Sequence, residues 1–232
     1  MYRNKKILGI ITARGGSKGI IRKNILKIGG KPLIAWTIEQ ASRSRYLDRL
    51  ILSSEDSEII NVAKKTGCEV PFVRPEHLAK DETPGIVPVL HAIKTLPEKF
   101  DFVVLLQPTS PLRSVEDIDG CIEHCITGNH LSCVSVTEPD KSPFWMYRIG
   151  KNGYIRPLLK SKRLAGSRQK LPKIYVLNGA VYVAECKWLL RHKVFVADKT
   201  AVYKMPKDRS LDIDTEFDIL KMNALLKLNA GK

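Results

Sequence analysis

Residues 7–24 read ILGIITARGGSKGIIRKN. The opening ILGII is a continuous apolar run with no alternation, the pattern of a strand covered on both faces in a parallel sheet. The remainder is a loop with two adjacent glycines, a serine and four cations: Arg14, Lys18, Arg22 and Lys23. It has neither the GxxxxGK[ST] nor the GxGxxG spacing. Glycines let backbone N–H groups approach an anion closely, and the cations add charge, so the loop suits a phosphate chain. A solvated turn has the same composition, and the residues alone leave both readings open.

Working outward from this strand, the chain alternates. Pro32–Ala41 has helical spacing, with Pro32 suited to a first turn. Leu50–Leu52 reads as a second buried strand ending at Ser53-Ser54, and Glu55–Lys65 as a helix stopped by Gly67. A short strand is expected at Val70–Val73, a helix over about Val87–Leu96 and a strong strand at Phe102–Leu106. Val115–Ile126 is helical and Leu131–Val136 is a strand. After a break, Ile174–Val183 and Ala201–Met205 read as strands and Thr215–Lys227 as a closing helix. This order predicts an α/β fold, a mostly parallel sheet with helices on both faces. Ligands of such sheets lie at the carboxyl ends of strands. Three unusual loops fall there: Arg14–Asn24, Ser53–Asp56 and Gln107–Arg113. The pattern breaks at Glu138, which predicts a core of residues 1–137 and 174–232 interrupted by an arm of residues 138–173.

Charge and cysteines narrow the class. The net charge is +15, and residues 141–173 hold ten Lys and Arg with no Asp or Glu. Such a bias favours an anionic partner. Phe144, Trp145, Tyr147 and Tyr154 interleave with those cations, so an RNA-binding arm is the competing reading. It leaves the loops at the strand ends and the acids near the C-terminus unexplained. No apolar stretch approaches the length of a membrane span. Five cysteines in no small-scaffold spacing suit a reduced cytoplasm. Cys121, His124, Cys125, His130 and Cys133 cluster in sequence, but without paired CxxC knuckles they read as buried thiols rather than a zinc site.

Two further stretches bear chemistry. In SLDIDTEFD, residues 210–218, Asp212 and Asp214 point to one face if the segment is extended. Paired carboxylates suit Mg²⁺; alternatively Asp214 caps the last helix. In LLQPTSPLR, residues 105–113, Gln107 ends a buried strand and can bond a ligand, or the segment is a Pro-rich turn.

The motifs ARGGSKG with RKN (13–24), RPEHLAKD (74–81), LLQPTSPLR (105–113), RQKLP (168–172), NGAVY (178–182) and DIDTE (212–216) occur in order along almost the whole chain. In this the sequence resembles the N-acylneuraminate cytidylyltransferases, or CMP-sialic acid synthetases, and the related enzymes for legionaminic and pseudaminic acid. The resemblance implies a Rossmann-like nucleotidyltransferase sheet with an inserted dimerisation arm. It implies a Mg²⁺-dependent reaction of CTP with an acidic nine-carbon sugar, releasing pyrophosphate, in a cytoplasmic homodimer or tetramer with no nucleic acid or membrane partner. Arg14, Gly15, Gly16, Ser17, Lys18, Lys23 and Asn24 match the triphosphate and ribose loop, and Arg74 and Asp81 the cytidine side. Gln107, Arg168, Tyr182 and Phe195 match sugar-binding positions, and Asp212 and Asp214 the metal-binding acids. Arg14, Lys23 and Asp214 stand as the catalytic set. Ile21 occupies a position where the family often has proline.

Overall fold

The structure is a computed structural model that describes residues 1–17, 19–159 and 171–230. Its centre is the expected strand. β1 (Ile7–Thr12) lies between two parallel neighbours, β4 (Arg49–Ser53) and β5 (Phe102–Leu106), with Ile10 facing Ile51 on one side and Leu105 on the other. Between β1 and β4 the chain forms a small hairpin, β2 (Lys27–Ile28) with β3 (Lys31–Pro32), and the helix α1 (Leu33–Ser42). α2 (Ser57–Lys65) and α3 (Ile86–Thr95) follow β4, and α4 (Val115–Thr127) connects β5 to β6 (Ser132–Thr137). An arm then leaves the sheet. It carries a two-stranded hairpin, β7 (Tyr147–Ile149) and β8 (Ile155–Pro157), whose six residues are all exposed. The chain returns as β9 (Val176–Glu185), α5 (Cys186–His192), β10 (Ala201–Lys204) and α6 (Glu216–Ala230).

The six-stranded sheet has the order β10-β6-β9-β5-β1-β4. Only β9 runs against its neighbours, β5 and β6; the other pairings are parallel. Alternate residues divide the core between two faces. Ile7 and Ile11 pack with residues of α1, α2 and α4, whereas Leu8 and Ile10 pack with residues of α3 and α5. The mostly parallel sheet with helices on both faces is therefore as the alternation predicts. A third cluster, with Ile28, Leu33, Ile213 and Met222, seats α6 against the β2–β3 hairpin.

Two local expectations need correction. Val70–Val73 is not a strand: beside β4 only Glu69 forms a bridge, to Ile51. Pro71 removes the N–H that a ladder needs there, and Arg74 closes the segment by donating its amide to Ser54 at 2.9 Å. Conversely, α5 follows β9 with no loop and no side-chain cap, so no punctuation marks its start. All five cysteines are buried free thiols. Burial pushes the thiols of Cys68, Cys125 and Cys186 up to about 12. Among the described residues no group of three or more metal-ligating side chains forms, and Cys121 and Cys133 pack 3.7 Å apart in the core. No described helix is long and apolar enough to cross a membrane.

Candidate functional site

β1 releases the chain at Thr12, and the cationic loop turns across the carboxyl ends of β1 and β4. Several buried ties shape it. The Gly15 amide donates to the Glu55 carboxylate at 2.8 Å. Arg74, only 3% exposed, donates to both the Ala13 carbonyl and Glu55 at 2.6 Å. Asn24 is also buried, and its amide donates to the Arg14 carbonyl at 3.0 Å. The glycines answer to space. A Cβ on Gly19 would stand 2.6 Å from the Asp214 carbonyl oxygen, and one on Gly15 would collide with the Asp56 carboxylate. Arg22, at φ 56°, turns away from the loop's open side and forks onto Asp56, with Glu58 3.0 Å away. Asp56 in turn accepts the Ile59 amide at 2.9 Å and caps α2. The Arg22 bond, against the opposing effect of burial, holds the Asp56 carboxyl below its ordinary range.

Above the loop lies a cleft of about 430 Å³. Arg14, Ser17, Lys23 and Asn24 line one side; Arg74, Asp81, Gln107 and Asp214 complete it. Four segments remote in sequence thus meet at the strand ends. Arg14 pairs with Asp81 at 2.6 Å, and Lys23 with Asp214 at 2.9 Å. Gly15 and Gly16 shape the loop without lining the cleft. Asp212 instead lines a neighbouring cavity of about 230 Å³ with Thr137, Asn178 and Lys207. Tyr182 and Phe195 pack together at 5.5 Å between ring centres, within the α3–α5 face of the core, and line neither cavity. Burial, and then the nearby Asp212 charge, raise the Tyr182 phenol. Lys18 and Arg168 lie outside the described residues.

The two acids differ. Asp214 is 67% exposed at its side chain. Asp212 has one carboxylate oxygen buried without a hydrogen-bond partner. Burial raises its proton affinity, and the Asp214 charge adds to this, against a Thr109 hydrogen bond and Lys23. Asp214 does not cap α6. Asp218 accepts from the Thr215 amide at 2.9 Å and the Thr215 hydroxyl at 2.7 Å, and so closes that end. An unpartnered carboxylate oxygen beside an exposed carboxylate is a donor pair suited to a hard divalent cation that keeps water or phosphate in its other positions.

Residues that sequence reasoning did not single out hold this arrangement. Arg113, fully buried, donates to the carbonyls of Ala180 (2.6 Å) and Gln107 (3.3 Å) and to the Thr37 hydroxyl (2.7 Å). Burial lowers its pKa to about 9, with the Asp117 charge opposing. Asn178 takes the Ser135 hydroxyl at 2.6 Å and donates to Ser210 at 2.9 Å. Arg113 ends LLQPTSPLR and Asn178 opens NGAVY, so their presence inside motifs was a signal; their partners were not readable.

The description "Cytidylyltransferase" matches residues 8–148. Over 97% of both chains, the sequence is 35% identical to a CMP-N,N'-diacetyllegionaminic acid synthase of Legionella pneumophila. It is 34% identical to a pseudaminic acid cytidylyltransferase of Campylobacter jejuni, again over 97% of each. An N-acylneuraminate cytidylyltransferase of Streptococcus agalactiae is 33% identical over 93% of this chain and 52% of its own. Among solved structures, a CMP:2-keto-3-deoxy-manno-octonic acid synthetase complexed with CTP superposes with a TM-score of 0.73 at 14% identity, covering 97% of this chain and 99% of that one. Such low identity speaks for the fold alone. With the family description covering more than half of it and full-length relatives agreeing, the chain belongs to the cytidylyltransferase family of nucleotidyltransferase enzymes.

Proposed function

We propose that the enzyme joins CTP to an acidic nine-carbon sugar of the sialic, legionaminic or pseudaminic type, giving the CMP-sugar and pyrophosphate. One observation carries this reading: a single cleft at the strand ends gathers the cations of the opening loop and the acid Asp214. The relatives' names supply the sugar class. In this account Arg14, Ser17 and Lys23, with Lys18 of the same loop, bind the triphosphate. Asn24 and Arg74 fix the loop's backbone, and Asp81 approaches the cytidine. Gln107, which lines the cleft, receives the sugar with Arg168, whose guanidinium pairs the sugar carboxylate; Tyr182 and Phe195, packed on each other in the core, support that side from behind.

The anomeric hydroxyl oxygen attacks the α-phosphorus, and the bond from that phosphorus to the bridging oxygen breaks as pyrophosphate leaves. Asp214, the acid that lines the cleft, is the candidate acceptor of the hydroxyl proton, through a carboxylate oxygen that the metal does not take. Both reactants are anions, so catalysis consists mainly of aligning them and offsetting charge. Asp212 and Asp214 would hold Mg²⁺, which would neutralise phosphate oxygens and polarise the phosphorus. The same reading includes a homodimer formed through the arm, where Trp145, Tyr147, Ile149, Tyr154 and Ile155 are exposed, and a reducing, cytoplasmic setting, consistent with the buried free thiols.

The test is pyrophosphate release from each nucleoside triphosphate with a panel of nonulosonic acids, with and without Mg²⁺. Release that needs CTP, Mg²⁺ and one of these acids is expected. No release with any of them, or equal turnover of ATP and CTP, would overturn the reading.

A further inference from the structure

Both acids lie on a stretch with little regular structure of its own. Between β10 and α6 there is only a short 3-10 turn, Lys207–Arg209. Side chains on such a stretch keep their places through contacts with rigid neighbours. The Ile213 amide donates to the Thr109 carbonyl at 2.8 Å. Asn178 donates to the Ser210 hydroxyl at 2.9 Å. Arg209 forks onto Asp117, Nε to Oδ2 at 2.8 Å and Nη2 to Oδ1 at 2.9 Å.

The third contact differs in kind. Its acceptor is a carboxylate at 0% exposure in the first turn of α4. Asp117 also accepts from the Ser114 amide and hydroxyl, each at 3.1 Å, as part of the capping box of α4. The neighbouring Arg113 holds the Gln107 carbonyl. The first turn of α4 thus fixes the segment bearing both acids, while Arg113, two residues before that helix, fixes the loop bearing Gln107. A planar fork on a planar carboxylate sets angle as well as distance, which a lysine cannot do. Packing does not account for the arginine. Its side chain is 39% exposed, and α4 is capped by Ser114 without it.

We propose that Arg209 is a positioning residue: its guanidinium, held by Asp117, sets where Asp212 and Asp214 stand relative to Lys23 and Gln107. Arg209 does not line the cleft and acts only through the acids. The inference rests on the reading that those acids serve phosphoryl transfer.

The test compares the full-length chain with Arg209→Ala, Arg209→Lys and Asp214→Ala. It measures kcat by pyrophosphate release, the CTP dissociation constant by calorimetry without divalent cation, and the response of Arg209→Ala to added guanidinium ion against equal sodium chloride. In Arg209→Ala, kcat should fall about 10- to 100-fold, the scale for losing a group that orients a ligand-bearing residue. CTP affinity should change no more than about twofold, as for independent sites. Arg209→Lys should recover only part of the loss, and guanidinium, but not sodium chloride, should raise kcat several-fold. A kcat within about twofold of the parent, outside the range for a lost orienting group, overturns the inference. So does a fall in kcat matched by an equal loss of CTP binding and untouched by guanidinium, which marks a general folding role. If Asp214→Ala keeps its turnover, the underlying reading of the acids fails instead, whatever Arg209 does.

Discussion

Lys23 is the most enclosed of the described loop cations, with 15% side-chain exposure against 34% for Arg14 and for Arg22. Its partner, Asp214, is mostly in water, so the pair contributes little to stability. A strong effect on turnover without an effect on folding follows. Lys23→Ala should lower kcat by about 10³-fold, the scale of losing one charge-stabilising donor, with an unchanged melting temperature. Thermal melts and steady-state assays on one preparation check both halves. Asp212 behaves in the opposite way. Its folded-state proton affinity is raised above the ordinary value of 3.8. The folded chain then binds more protons than the unfolded one just above that value, and ionised Asp212 costs stability at neutral pH. Asp212→Asn should therefore raise the melting temperature of the ligand-free enzyme at pH 7.5 while lowering its activity, and the gain should shrink as pH falls through the raised value toward 4. An equal or lower melting temperature at pH 7.5 would contradict the burial argument. At this scale the motif residues were legible because their types announce charge and hydrogen bonding. Their partners were not. Arg209 and Asp117 stand 92 positions apart, and Arg74 and Ala13 stand 61 apart; only the folded chain brings such pairs together.

Among the elements, α2 shows how the cationic loop is tied to the scaffold. Asp56 caps the helix and also holds Arg22. Asp56→Ala removes both and should destabilise the fold by about 1–2 kcal/mol, the upper range for a lost cap. The folded-state carboxyl lies below its ordinary value, first through the Arg22 bond. Its contribution is thus present above about pH 4 and is lost as pH falls through the lowered value. Chemical denaturation at pH 7 should show the full difference between parent and variant, and at pH 3 a smaller one. The buried strands β1, β4, β5 and β6 were legible because continuous apolar runs bounded by polar turns have few other uses. Val70–Val73 misled because its β-branched ends outweigh Pro71 in composition but not in hydrogen bonding. α5 was hidden because it begins on the residue after β9 ends.

For the whole molecule, the arm and the charge matter most. Residues Trp145, Met146, Tyr147, Ile149, Tyr154, Ile155, Leu158 and Leu159 are all exposed, and large apolar side chains concentrated on one exposed arm suit an interaction surface. On the proposed reading of the arm as the dimer interface, deleting residues 141–170 should leave monomers. Sedimentation velocity, corrected for mass, checks this, and an unchanged association state would dismiss the arm as the interface. The basic bias of the arm was plain in composition, whereas its two-stranded hairpin was not, because three-residue strands carry no usable periodicity. The paired charges of the cleft have a further effect on how the enzyme meets its nucleotide. With Arg14 on Asp81 and Lys23 on Asp214, the resting cleft already contains its own counter-ions. On the proposed reading a triphosphate would enter as in ion exchange, trading places with protein carboxylates instead of filling a bare positive hollow. Its arrival should therefore be less sensitive to ionic strength than the +15 of the chain would suggest.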